Sequence, residues 1–75
     1  MEISELEQLR AEYKEAVNAW IAAIHAEEDL ATSDHTVPAV DAWENAGFAE
    51  EEARTKAKEA KKAYEDALRM VDFHF

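Results

Sequence analysis

The chain has 75 residues, no cysteine, one glycine, one proline and a formal net charge of −10. A chain of this length makes one small domain, 1–75, with a marginal core, and without cysteine it has neither disulfides nor thiolate zinc sites to reinforce it. The negative charge opposes nucleic acid and anionic membrane surfaces and favours a basic protein surface as partner.

The opening stretch MEISELEQLR is acidic and polar, with neither a basic nor an apolar region of signal-peptide type, so no signal peptide is expected. Ser4 followed by Glu7 fits a capping box, in which a serine and a glutamate three residues on satisfy each other's free amides. From there Leu6, Leu9, Tyr13, Val17, Trp20 and Ile24 recur at helical spacing and form one stripe. The stripe fades near Leu30 and Ala31, which predicts a first helix over about 4–31. Its most apolar run, AVNAWIAAI, is too short to span a bilayer.

TSDHTVP collects turn formers and cap candidates. Thr36 is the expected N-cap of the next helix, with Asp34 as rival. Pro38 suits the first turn, where the amide it lacks has no partner anyway.

The second helix is expected over about 37–73. Val40, Trp43, Gly47, Glu50, Arg54, Ala57, Lys61, Tyr64, Leu68, Val71 and Phe75 form a coiled-coil trace with a polar centre. Ala46, Ala49, Ala53, Ala57 and Ala60 make a better middle stripe, and such small residues let helices approach closely. Gly47 costs about 1 kcal/mol within a helix. It marks either a kink in one long helix, the preferred reading, or a break that makes a three-helix chain.

The short connection makes the two helices antiparallel neighbours. The expected fold is all-α, a helical hairpin that dimerises into a four-helix bundle. Leu6 and Leu9 should lie near Leu68 and Val71 at one end, and Trp20 and Ile24 near Val40 and Trp43 at the other. A lone hairpin leaves half of each apolar stripe wet, so a homodimer is the leading assembly. Its core would comprise Leu6, Leu9, Tyr13, Val17, Trp20 and Ile24 with Val40, Trp43, Tyr64, Leu68 and Val71. If Trp43 belongs there, replacement by alanine should cost about 3–5 kcal/mol.

Charge is distributed unevenly along this hairpin. No lysine or arginine occurs in residues 15–53, and ten acids do: Glu15, Glu27, Glu28, Asp29, Asp34, Asp41, Glu44, Glu50, Glu51 and Glu52. Outside that span eight acids balance eight bases, so the tip of the hairpin carries the whole net charge. The basic run RTKAKEAKK reads as a solvated helix face, supported by Glu50–Arg54, Glu52–Lys56 and Glu65–Arg69 pairs in the favourable order.

Chemistry has few candidates. His25 and Glu28 share a helix face and His35 follows in the turn, which raises a metal site. A di-iron bundle, however, needs the order Glu-x-x-His and further glutamates projecting inward. Asp34–His35 resembles an oriented acid–base pair, but no nucleophile or cleft accompanies it. Gly-rich phosphate loops are absent. The expectation is a cytoplasmic, non-enzymatic interaction or regulatory protein without cofactor or metal. Its candidate partner-binding residues are Glu27, Glu28, Asp29 and Asp34 at the tip, with Phe48 and Phe73 off the stripes. A purely structural bundle and a metal-binding protein using His25, Glu28 and His35 are the alternatives.

Overall fold

The computed structural model describes the backbone of residues 2–73 and the side chains of residues 2–71. Two helices, α1 (Ile3–Leu30) and α2 (Val37–Phe73), pack antiparallel as a hairpin measuring 60 × 14 × 12 Å. Phe75 and the side chain of Phe73 lie outside the described residues.

The start of α1 differs from the expected capping box. Glu2 occupies the cap position in extended backbone, φ −75° and ψ 151°, and makes no side-chain cap bond. Ser4 is already helical, and its hydroxyl donates back to Glu2 Oε2 at 3.3 Å. The helix therefore begins one residue early. Glu5 in its first turn complements the positive end of the helix dipole.

The turn is closed by local hydrogen bonds. The Asp34 amide donates to Thr32 Oγ1 at 3.2 Å, and the Thr36 amide donates to Asp34 Oδ1 at 2.9 Å. The Thr36 carbonyl then accepts the Val40 amide at 3.0 Å, the first helical bond of α2. Thr36 thus holds the cap position by backbone, and Asp34 braces the approach to it. Pro38 sits in the first turn of α2 without removing a needed donor.

α2 continues through Gly47 without a break. The glycine has no positive φ, and a Cβ built on it would meet only Glu27 Oε1, at 3.6 Å. The helix spans 37 residues, and its packing on α1 outweighs one unfavourable residue.

The two helices contribute different side chains to their seam. From α1 come Leu6, Leu9, Tyr13, Val17, Trp20 and Ile24, all half-buried. From α2 come Ala46, Ala53, Ala57 and Ala60, with Tyr64, Ala67 and Leu68 below them. The alanine stripe, not the coiled-coil trace, is the middle of the α2 face. Arg54 and Lys61 from that trace are exposed, as is Ala49 from the stripe. Val40, Trp43 and Val71 reach only the edge of the seam and remain 37, 43 and 40% exposed. Ala57 and Ala67, at 3 and 2%, are the buried core among the described residues. Large residues on one helix against small ones on the other allow close approach, but leave each large side chain wet along one edge.

Two contacts set the register. The Tyr13 and Tyr64 rings stack with centroids 6.2 Å apart. The Trp20 indole N–H donates to Glu50 Oε1 at 2.6 Å, which satisfies a carboxylate at a seam position. Trp20 therefore sits opposite Glu50, about two helical turns from Trp43 along α2. It is Glu27 and Leu30 that share grooves with Trp43 at the tip.

The same bond removes Glu50 from the expected pair with Arg54. Glu52–Lys56 forms at 3.3 Å as expected, whereas Glu65 takes Lys61 at 3.7 Å rather than Arg69. Lys62 donates to Asp66 at 2.8 Å, and this bond holds the Asp66 carboxyl below its ordinary value of 3.8. These pairs are exposed and lend α2 little stability.

Candidate interaction surface

The acidic span folds into the tip half of the hairpin, with residues 15–30 of α1 beside residues 37–53 of α2. The carboxylates of Glu27, Glu28 and Asp29 crowd the last turn of α1, which has no base to offset them. A helix C-terminus disfavours negative charge. This end of the molecule is therefore set for a cation supplied from elsewhere, or for water.

Apolar side chains accompany these acids. Val37 is 72% exposed, Phe48 69% and Trp43 43%, with Leu30 and Val40 also open to solvent. Trp43 stands between two grooves. On one side, Leu30, Ala39 and Val40 line a groove with the turn residues Asp34 and His35. On the other, Gly47 forms the floor between Trp43 and Phe48, and Glu27, Glu44, Glu50 and Glu51 form the rim. The second groove encloses about 260 Å³ and combines aromatic faces with carboxylates. That combination suits cationic side chains with apolar stems.

The predicted partner-binding residues divide accordingly. Glu27 and Phe48 meet in the rimmed groove, and Asp34 lines the turn groove. Glu28 and Asp29 are exposed on the end of α1. Phe73 is the last residue of α2, at the opposite end of the hairpin, and its side chain lies outside the described residues. Gly47, Glu44 and Glu51 also carry this surface, although in the sequence Gly47 read as a kink or break and the two acids as part of the base-free span. Their signal was present in the steps of three and four from Glu44 to Glu51, which put Gly47 between two acids on one strip.

A third groove, of about 470 Å³, lies on the other side of the seam. Ala16 and Ala19 of α1 and Ala49 and Ala53 of α2 form its floor. It is shallow, and Glu12, Glu15, Glu52 and Lys56 complete its lining.

The candidate metal residues do not converge. His25 Nδ1 and Glu28 Oε1 approach to 3.9 Å with both side chains mostly exposed, and His35 belongs to the turn groove. Among the described residues no group of three or more His, Cys, Asp or Glu is arranged to hold a metal ion. Among them, too, no helix is long and apolar enough to cross a membrane. No family model, curated protein or solved structure matches this chain.

Proposed function

We propose that this chain is a non-enzymatic interaction or regulatory protein that works as a four-helix-bundle homodimer and offers its acidic tip to a basic protein surface. The observation that carries this reading is the coincidence of charge and apolar exposure. The half of the hairpin that holds the entire net charge also exposes Trp43, Phe48, Val37 and Leu30. A face that only kept the protein soluble would need the acids without the aromatics. A cysteine-free sequence suits the reducing cytoplasm, where we place its work.

The test is binding of a lysine-rich amphipathic peptide at low and high salt. Affinity should fall several-fold with added salt and again on replacing Asp29, Asp34 and Asp41 by Asn. Binding indifferent to both salt and these substitutions would remove the acidic tip from the function.

A further inference from the structure

The hairpin exposes 5853 Å². A compact monomer of 8.5 kDa exposes roughly 4,650 Å². The excess, about 1,200 Å² per chain, exceeds the share of about 800 Å² that each partner loses in a standard interface. The question is which face a second copy covers, and in which direction it runs.

The seam divides the surface into two sides. The alanine groove takes Ala16, Ala19, Ala49 and Ala53 on one side. Helical phase puts two other strips on the opposite side. On α1, Arg10, Lys14, Val17, Ile21, Ile24 and Glu28 follow one another in steps of four and three. On α2, Glu44, Gly47, Glu51, Arg54, Lys58 and Lys61 do the same in steps of three and four.

Both strips are charge palindromes. On α1 the bases Arg10 and Lys14 stand at one end and Glu28 at the other, with Val17, Ile21 and Ile24 between them. The midpoint lies near residue 19. On α2, Glu44 mirrors Lys61, Gly47 mirrors Lys58, and Glu51 mirrors Arg54, about a point between 52 and 53. The register of the hairpin, with Trp20 opposite Glu50 and Tyr13 opposite Tyr64, brings these two midpoints to nearly one level. A two-fold axis drawn across the hairpin there lays each strip on its own copy in reverse. Every acid of the two six-residue strips then meets a base, Glu7 and Glu65 one step beyond them stay with Arg10 and Lys61 of their own helices, and Ile21, which is 45% exposed, comes next to the axis.

We infer that this face is the homodimer interface and that the two hairpins run antiparallel, so that the acidic half of each rests on the Arg54–Lys58–Lys61 strip of the other. This inference rests on the homodimer proposed above. The opposite orientation would set two tips together, each carrying the whole net charge of its chain, and like charges across an interface are strongly disfavoured. Trp43 would receive the stems of the partner's basic side chains. Asp29, Asp34 and Asp41 lie off both strips and stay free for a basic partner.

Light scattering of the unaltered protein comes first. A monomer at micromolar concentration overturns the homodimer, and this inference with it. For a dimer, spin labels on Ser33→Cys read the orientation. Antiparallel hairpins put the two labels roughly 35–40 Å apart, from about 1.5 Å of rise per residue on each side of the axis. Labels within about 20 Å, the spacing of neighbouring helices plus side chains, overturn the direction while leaving the dimer intact. Charge reversal reads the face. Arg54→Glu with Lys61→Glu, and separately Glu44→Lys with Glu51→Lys, should each weaken the dimer by about tenfold or more. Mixing the two variants should restore it, which also shows that each still folds. Lys56→Glu, on the alanine side, should leave it unchanged. Dimers that survive both double reversals, or that fail only with Lys56→Glu, place the interface elsewhere.

Discussion

Glu50 is the residue at which the seam departs most from an apolar pattern. A carboxylate facing another helix is costly unless a donor meets it, and the Trp20 indole N–H does so at 2.6 Å. Trp20→Phe keeps an aromatic ring in the seam and removes the donor together with the indole's second ring. It should destabilise the hairpin by about 1–2 kcal/mol, the range for a partly exposed hydrogen bond to a charged group. Pairing it with Glu50→Leu should recover most of that loss, because the stranded carboxylate is then gone. A double-mutant cycle in urea measures the coupling, and strict additivity would show that the bond contributes nothing. Gly47 presents the reverse case, a position where the small residue is not required by space. The nearest atom to an added Cβ is 3.6 Å away and the backbone is helical. Gly47→Ala should therefore raise stability by about 0.5–1 kcal/mol, read as a higher denaturant midpoint. A lower midpoint would mean that the glycine serves close approach of another chain.

At the scale of the helices, the asymmetry of the seam decides what can change. Ala57 is 3% exposed and lies where α2 comes close to the large residues of α1. Ala57→Leu should push the helices apart and cost about 1–3 kcal/mol. Ala63→Leu, on an exposed face of the same helix, should stay within about 0.5 kcal/mol. Thermal unfolding of the two variants separates these outcomes, and equal effects would mean that the helices are not in close contact at Ala57. Both helices and their antiparallel packing were legible in the spacing of apolar residues, because one large residue per turn dominates α1. The α2 face was harder to read. Val40 and Trp43 stand in phase with Tyr64 and Leu68, so size favoured the trace through Arg54 and Lys61. The alanine stripe was the better reading of the middle all the same, and the structure bears it out at Ala53, Ala57 and Ala60, though not at Ala49, which is exposed. The misplaced cap at Ser4 has a similar origin. The motif is local, and it cannot register that the chain is already helical at Ile3. The carboxylates of the surface were visible as a run without bases, while the groove joining Glu27 to Glu51 depends on the register between helices, which no single-helix pattern contains.

For the whole molecule, the thin core is the central fact. Two small side chains are buried among the described residues, and nine large apolar ones stay exposed. A domain of this size gains little from such a core alone, so its stability should depend on assembly. Binding between copies stabilises the folded state by mass action, and the thermal midpoint of a dimer rises with protein concentration. Trp43 is the sensitive reporter. It is 43% exposed in the single hairpin, so alanine there removes only part of its burial within one chain. The remainder, from a side chain that can bury 150–250 Å² (roughly the full range for large aromatics), is available only to a partner. Trp43→Ala should therefore flatten the concentration dependence of the midpoint more than it lowers the midpoint in dilute solution. In a chain of this length a difference of about 1 kcal/mol moves the midpoint by about 4–8 °C, well within the reach of calorimetry across a range of concentrations. An equal drop at every concentration would confine the contribution of Trp43 to its own hairpin. A wild-type midpoint that ignores concentration would leave the exposed apolar surface to a different protein.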